Sequence, residues 1–140
     1  MKIAIGCDHG GISLKAEIVP LLQELGHVVD DKGCYATESV DYPDFAKAVC
    51  SQVQNNSCAR GILICGTGVG MSMAANRFEG IRAALGNELF TARMSREHND
   101  ANVLCLGARV VGPGLAAEIV RAWLSTEFAG GRHQRRIAMF

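Results

Sequence analysis

The chain has 140 residues, and its 14 basic and 14 acidic side chains give a formal net charge of zero. With 49% hydrophobic residues it has the composition of one ordinary globular domain, and it lacks the excess positive charge that favours nucleic acid or an anionic membrane as a partner. No apolar run approaches the ~20 residues of a membrane span, and the first residues predict a strand rather than a signal peptide. We therefore expect a single cytoplasmic domain over residues 1–140.

Strand-like and helical segments alternate along the chain. The predicted strands are residues 2–6, 28–30, 61–65, 81–85 and 102–107. The first helix has an apolar stripe ended by Gly26, and Pro20 within it predicts a kink or a late helix start. The stripe consists of Leu14, Ile18, Leu21, Leu22 and Leu25.

The remaining helices are marked by prolines and by apolar periodicity. A second helix opens at Pro43, with Phe45, Ala46, Val49 and Val53 facing inward. A third covers residues 69–76 and a fourth residues 88–97. The last starts at Pro113 and carries Leu115, Ile119, Val120, Trp123 and Leu124. Five strands separated by helices predict a parallel sheet that is covered on both faces.

Six cysteines in this length raise the question of disulfides. The sequence contains no C-x-x-C pair and no His-rich spacing suited to zinc, so we expect reduced thiols. Cys105, within VLCL at residues 103–106, is typical of a small core hydrophobe.

The glycine-rich segment CGTGVG at residues 65–70 follows the third strand. Its glycines expose backbone N–H groups at the carboxyl end of a strand, where open α/β sheets bind ligands. A thiol beside such an anion-binding loop is a candidate nucleophile or base. The spacing is neither that of a Walker A loop nor that of the dinucleotide fingerprint. The structural alternative is a tight strand–helix turn that requires positive φ.

Two further polar groups are predicted near the sheet. Asp8 and His9 follow the first strand and would lie on its rim, although Asp8 could simply cap a helix. His98 and Asn99 close the fourth helix before the fifth strand, and we expect them to reach the same edge of the sheet. A histidine at a helix C-terminus can also serve only to stabilise the helix dipole.

The chain ends in a basic tail at residues 130–140. Arg132 and Arg136 are four residues apart and would share one face of a helix. Together with Arg109, they suit a phosphate dianion, because each guanidinium can donate two parallel hydrogen bonds. The alternative is a solvated basic tail, while RNA binding lacks the support of aromatic residues or net positive charge.

These groups together indicate a reaction class. A thiolate base, an anion-binding loop, an imidazole and paired arginines suit the abstraction of a proton α to a carbonyl on a phosphorylated substrate. The sequence shows no cluster of metal ligands, and the chemistry does not call for one.

Several segments match one known family in order and in spacing, from residue 1 to about residue 136. They are GCDHGG (6–11), DYP (41–43), ICGTGVG (64–70), AAN (74–76), GIRA (80–83), SREHND (95–100), NVL (102–104) and GGRH (130–133). On these motifs the chain resembles ribose-5-phosphate isomerase type B, whose family also includes allose-6-phosphate and galactose-6-phosphate isomerases.

The resemblance implies a three-layer α/β/α, doubly wound (Rossmann-like) five-stranded parallel sheet. It also implies a homodimer, often paired into a tetramer, with the active site between subunits and with neither cofactor nor metal. The implied reaction interconverts D-ribose 5-phosphate and D-ribulose 5-phosphate through a cis-enediolate. A hexose-6-phosphate isomerase and a non-catalytic phosphate- or nucleotide-binding module remain the alternatives.

The resemblance also implies a role for each site residue. Cys65 would be the base that moves the proton between C1 and C2, Thr67 would assist proton movement between O1 and O2, and His98, from the partner subunit, would promote ring opening. The N–H groups that would hold the enediolate oxygens are those of Gly66, Gly68, Val69 and Gly70. The remaining substrate contacts would be Asp8 (hydroxyls), His9, Arg132 and Arg136 (phosphate), Asn99, Arg109 and Tyr42. Some members carry a glutamate base just after the glycine loop, where this chain has Met71, which favours Cys65 as the base.

Overall fold

The computed structural model describes the whole chain, residues 1–140, as a central sheet flanked by helices. The strands are β1 (Lys2–Cys7), β2 (Val28–Asp31), β3 (Arg60–Cys65), β4 (Ala83–Leu85) and β5 (Val103–Gly107). The helices are α1 (Ile12–Glu24), α2 (Tyr42–Gln54), α3 (Val69–Ala75), α4 (Leu89–Asn99), α5 (Pro113–Ser125) and α6 (Arg132–Ile137), and a single 3₁₀ turn (His9–Gly11) precedes α1. No helix combines the length and the apolar character needed to span a membrane.

All five strands are parallel, in the order β2-β1-β3-β5-β4. Residues of α1, α4 and α5 pack on one face of the sheet, and residues of α2 and α3 pack on the other. The predicted three-layer, doubly wound five-stranded parallel sheet is therefore confirmed.

Alternate side chains of each central strand enter opposite layers, as the two-residue period of a strand requires. In β3, Ile62 and Ile64 join the layer of α1 and α5, while Leu63 and Cys65 join the layer of α2 and α3. This alternation directs the Cys65 side chain toward the start of α3.

One expectation for the first helix, concerning where it starts, is wrong. The helix begins at Ile12 and continues through Pro20 to Glu24, so the alternative of a late start is wrong. Pro20 cannot donate a hydrogen bond to the carbonyl of Ala16, but both residues lie on the exposed face, where water can replace the bond. As expected, Gly26 follows the end of the helix, with a φ of +79°. The next residue, His27, donates its N–H to the Leu22 carbonyl (2.9 Å).

Two other expectations are wrong in detail. Leu115 is 42% exposed, because the buried stripe of α5 starts one residue later, at Ala116, and Leu115 lies about 100° away around the helix. Strand β4 starts at Ala83 rather than at residue 81, since the Ile81 N–H bonds back to the Phe78 carbonyl (3.1 Å) in a turn.

The order of the strands creates a crevice. β1 leads into α1 on one face of the sheet, and the adjacent β3 leads into α3 on the other. The connections therefore diverge where the carboxyl ends of β1 and β3 lie side by side, which is the place where open α/β sheets bind ligands.

Candidate active site

The turn after β1 lies against the loop after β3. The Asp8 N–H donates to the Ile64 carbonyl (3.1 Å), and a Cβ added at Gly10 would lie 3.5 Å from the Gly66 nitrogen. Asp8 is buried, and its Oδ1 accepts from the Gly10 N–H (2.9 Å). Asp8 therefore caps the 3₁₀ turn, as its alternative interpretation predicted, and this leaves Oδ2 able to accept from a ligand.

Cys65 ends β3 with only 5% of its surface exposed. Its Sγ accepts a hydrogen bond from the backbone N–H of Gly68 at 3.1 Å. Gly68 has φ +80°, so the tight turn requires a left-handed residue, and the same turn aims an N–H at the sulfur. A donor in this position stabilises negative charge on the thiol.

The start of α3 completes the loop. The Val69 N–H donates to Thr67 Oγ1 (3.3 Å), which leaves the Thr67 hydroxyl proton free to be donated elsewhere. A Cβ added at Gly70 would lie 2.8 Å from Cζ of Tyr42, so the Tyr42 ring packs directly on this glycine. Tyr42 thus forms a wall beside the glycine loop.

Two basic side chains border the same crevice. The Arg109 side chain lies over Gly66, since a Cβ added there would be 3.6 Å from both Cδ and Nη1 of Arg109. His9 Nδ1 accepts from the Val40 N–H (3.3 Å), so the neutral ring carries its proton on Nε2. We call this assembly the cysteine cluster; it comprises Asp8, His9, Tyr42, Cys65–Gly70 and Arg109.

The remaining predicted site residues lie at the opposite end of the sheet. α4 joins two parallel strands, so it runs antiparallel to them, and its C-terminus lies at their amino ends. There the Arg82 Nε, just before β4, donates to the carbonyls of Asn99 and Asp100 (both 3.1 Å). The expectation that His98 and Asn99 reach the edge near Cys65 is therefore wrong within one chain.

α6 brings the basic tail to the same end. The His98 and His133 rings stack with centroids 4.3 Å apart and planes 6° from parallel, and the Ala129 N–H donates to the Glu97 carbonyl (3.0 Å). Arg132 and Arg136 stand on α6 as exposed side chains, one helical turn apart as predicted. We call this second assembly the histidine cluster; it comprises His98, Asn99, Arg132, His133 and Arg136.

Burial and neighbouring charges shift the pKa values of His133 and of several cysteines. Partial desolvation, together with the nearby His98, Arg132 and Arg136, lowers the pKa of His133. Burial raises the pKa of Cys7 to about 11 and that of Cys50 to about 12, and it also holds the pKa of Cys105 well above its ordinary value. All six cysteines are buried and free, and Cys65 is the one that accepts an N–H from the glycine loop.

One contributor was missed by sequence reasoning. Asn87, in the turn between β4 and α4, donates from Nδ2 to the Thr67 carbonyl (3.0 Å) and accepts at Oδ1 from the Gly107 N–H (2.8 Å). It belongs to no recognisable motif, and the only available signal was an asparagine directly after a glycine at the end of a strand.

The open parallel sheet defines an α/β protein, and its thiol and glycine loop lie at the switch point, where proteins of this class bind small molecules. Comparison with known proteins defines the family. The Ribose/Galactose Isomerase family model matches residues 3–140, and the chain belongs to this family. It is 54% identical over 136 residues to ribose-5-phosphate isomerase B of Escherichia coli, covering 97% of this chain and 91% of that protein.

Solved structures agree. The chain superimposes on a ribose-5-phosphate isomerase B from Clostridium thermocellum with a TM-score of 0.98 at 56% identity, covering 99% of this chain and 94% of that one. The corresponding structure from Thermotoga maritima gives a TM-score of 0.96 at 51% identity, with 99% and 95% coverage.

Proposed function

We propose that this protein interconverts D-ribose 5-phosphate and D-ribulose 5-phosphate through a cis-enediolate, with Cys65 as the base. The observation that carries the proposal is the 3.1 Å hydrogen bond from the Gly68 N–H to Cys65 Sγ. It stabilises a thiolate next to a loop of further N–H donors. The family, and the 54% identity to a ribose-5-phosphate isomerase B, support the choice of substrate.

The proton transfers balance within the substrate. In the open-chain aldose, the Cys65 thiolate takes the proton from C2. The electron pair of that C–H bond forms the C1–C2 double bond of the enediolate, and the π pair of the C1 carbonyl moves onto O1. Thr67, whose oxygen already accepts from Val69, assists the movement of a proton between O1 and O2. The thiol then returns its proton to C1, which leaves the ketose and the original thiolate.

The glycine loop lowers the activation barrier, because its N–H groups stabilise the negative charge of the enediolate, which exists only after C2 has lost its proton. The proposed donors are the N–H groups of Gly66, Gly68, Val69 and Gly70. Without substrate, the Gly68 N–H bonds to Cys65 Sγ and the Val69 N–H to Thr67 Oγ1, so these two would turn to the enediolate oxygens as negative charge forms there. Loss of one such donor costs roughly 10²–10³ in rate in other enzymes. Asp8 Oδ2 would accept from substrate hydroxyls. Tyr42 would form a wall of the pocket and Arg109 would supply a further contact.

A second copy of the chain is needed to complete this site. The cysteine and histidine clusters lie at opposite ends of β5, whose five residues span about 17 Å. We propose a homodimer, able to pair into a tetramer, in which the partner's histidine cluster closes over the cysteine cluster. His98 would then promote opening of the furanose ring and Asn99 would contact the sugar. Arg132 and Arg136 would bind the phosphate together with His9.

The test is steady-state turnover of ribose 5-phosphate by wild-type protein and Cys65→Ala, with a chelator present and no added cofactor. Loss of a general base predicts a fall of about 10³-fold or more with an unchanged circular dichroism spectrum. Cys58→Ala is the matched control, because Cys58 is equally buried but lies before β3, at the other end of the sheet. Normal turnover by Cys65→Ala would exclude Cys65 as the base.

A hexose-6-phosphate isomerase is the second candidate, and the family description, which includes galactose as well as ribose, favours keeping it. Allose 6-phosphate and ribose 5-phosphate compared on the same preparation would decide between them, since preference for the six-carbon sugar would keep the chemistry and change the substrate. If neither sugar turns over while ATP or NAD binds at micromolar concentration, the protein is a binding module.

A further inference from the structure

Asn87 joins two segments that are distant in sequence at the cysteine cluster. Its Oδ1 accepts from the Gly107 N–H at the end of β5 (2.8 Å), and its Nδ2 donates to the Thr67 carbonyl in the glycine loop (3.0 Å). Both partners are backbone groups, so the half-buried Asn87 side chain fixes the loop to the sheet without taking part in any side-chain network.

The Thr67 carbonyl and the Gly68 N–H belong to the same planar peptide unit. The carbonyl end of this unit accepts from Asn87 (3.0 Å), and the N–H end donates to Cys65 Sγ (3.1 Å). Rotation of the unit about its long axis would therefore break both bonds together. The Asn87 amide and the sulfur hold opposite ends of one rigid plane.

This peptide unit has little intrinsic reason to keep its orientation. Its rotation is absorbed by ψ of Thr67 and φ of Gly68, and a glycine tolerates either sign of φ at low cost. The end of β5 lies close to it, since a Cβ added at Gly107 would lie 2.6 Å from the Thr67 carbonyl carbon and oxygen. The bond from Asn87 Nδ2 to the Thr67 carbonyl is a further restraint, and it comes from a side chain outside the loop.

We propose that Asn87 is a positioning residue for Cys65, which acts by holding the 67–68 peptide unit so that its N–H points at the sulfur. The inference rests on the proposed function and deepens it, since it explains how the chain keeps a hydrogen-bond donor directed at the proposed base. It assigns Asn87 an indirect role, because its amide bonds to the Thr67 carbonyl and the Gly107 N–H rather than to the thiol.

The alternative is that Asn87 merely stabilises the turn before α4, and the alkylation rate of Cys65 as a function of pH separates the two. Wild type, Asn87→Ala and Asn87→Asp would be treated with iodoacetamide between pH 5 and 10, and modification would be quantified on the tryptic peptide 61–77, which contains Cys65 as its only cysteine. The other ionisable groups of the cysteine cluster (Asp8, His9, Tyr42 and Arg109) and the neighbouring Cys105 are the same in every variant, and Asn87→Asp adds one carboxylate.

We expect the midpoint of the alkylation profile to rise by about one pH unit in Asn87→Ala, the size of one hydrogen bond to a charged group. Asn87→Asp retains an acceptor for Gly107 and loses the donor to Thr67. Its added negative charge also disfavours the thiolate, so its midpoint should rise at least as far, and Asn87→Ala is the variant that isolates the lost hydrogen bond. In ribose 5-phosphate turnover, kcat should fall about tenfold in Asn87→Ala while KM changes little.

Asn76→Ala is the matched control. Asn76 also joins two backbone groups, donating to the Ala83 carbonyl (2.8 Å) and accepting from the Ala83 N–H (2.9 Å), but it holds α3 to β4 and does not reach the 67–68 peptide unit. It should lower thermal stability to a similar extent with an unchanged alkylation midpoint.

Unchanged midpoints in both Asn87 variants would overturn the inference and leave Asn87 as a turn residue. A midpoint that rises equally in Asn76→Ala would also overturn it, since the shift would then follow from general loosening. Alkylation does not depend on turnover: a shifted midpoint in a protein that isomerises neither sugar would retain the role of Asn87 and reject the isomerase proposal.

Discussion

The imidazole rings of His98 and His133 stack in parallel, 4.3 Å apart, where the end of α4 meets α6. Arg132 and Arg136 flank them on α6, and both guanidinium groups act against a positive charge on His133. Glu97 is the nearby acid, with its Oε1 3.7 Å from His98 Nε2. The packing of the basic tail on α4 therefore favours a neutral His133.

This arrangement predicts loss of stability in acid. The pKa of His133 is lowered in the folded protein, so below the ordinary histidine value of ~6.5 the unfolded chain binds more protons than the folded one. The free energy of unfolding should therefore fall as the pH drops through that region, and the contribution of His133 is fully present above it.

Urea unfolding at pH 8 and pH 5.5 should show a smaller fall in the free energy of unfolding for His133→Gln than for wild type. The pKa of His27 is also lowered, so its contribution to the acid-induced loss of stability should remain in His133→Gln. An equal loss of unfolding free energy in wild type and variant would contradict the prediction.

Separation of the two clusters predicts complementation between inactive variants. Cys65→Ala and His98→Asn should each lose turnover of ribose 5-phosphate. Mixed in equal amounts under conditions that exchange subunits, they should recover about a quarter of wild-type activity, because half of the dimers are mixed and each mixed dimer has one intact site. Mixing Cys65→Ala with Cys65→Ser is the control and should recover nothing. Failure of the first mixture, with subunit exchange verified, would refute a site shared between chains.

Two glycines with the same backbone conformation predict different effects of alanine. Gly26 and Gly68 have φ of +79° and +80°, so each alanine carries a similar strain of about 1 kcal/mol. At Gly26 an added Cβ meets nothing within 4 Å, whereas at Gly68 it would lie 2.6 Å from Cδ1 of Leu85. Gly26→Ala should lower stability and leave kcat unchanged, while Gly68→Ala should lower kcat by about 10²-fold. Equal kcat values for the two variants would mean that the loop tolerates displacement.

Substitution of Asp100, which lies near the amino end of the sheet, should lower the free energy of unfolding. Its carboxylate pairs with Arg82 (3.0 Å) and with the buried Arg96 (2.8 Å), and its own φ is +46°. Asp100→Ala leaves the buried Arg96 guanidinium bonded to the Ala101 carbonyl (2.6 Å) but without its carboxylate partner, and it should lower the free energy of unfolding by about 3 kcal/mol. Asp100→Gly removes the same carboxylate but relieves the strained φ, so it should be less destabilising by about 1 kcal/mol. Denaturant unfolding would measure both, and the reverse order would exclude strain at this position.

Most of the fold could be predicted from local features of the sequence, such as prolines, glycines and apolar runs. Pro43 marks the first turn of α2, Gly26 follows the end of α1, and the apolar run before Cys65 forms the central strand. The exceptions depend on which face is exposed. Pro20 is tolerated because its side of α1 meets water, and Leu115 is exposed because the buried stripe of α5 begins one residue after it.

The sequence allowed only part of the arrangement of the proposed site residues to be predicted. Segments that follow β1 and β3 meet because parallel strands end at one edge, so Asp8 and Cys65 could be brought together in advance. His98 could not be placed by that rule, since it lies at the end of a helix that runs back to the opposite edge. Asn87 acts through two hydrogen bonds to backbone groups, and no spacing in the sequence records such bonds.

The side-by-side placement of β1, β3 and β5 has a consequence for how activity appears during folding. The cysteine cluster is not complete within any local segment, because Asp8, Cys65 and the Gly107 N–H that orients Asn87 lie in or next to β1, β3 and β5, which are distant in sequence and pair only through long-range contacts. Pairing of this kind forms slowly, because loop closure must come first. During refolding, the helical circular dichroism signal should therefore recover before the alkylation behaviour of Cys65 becomes native.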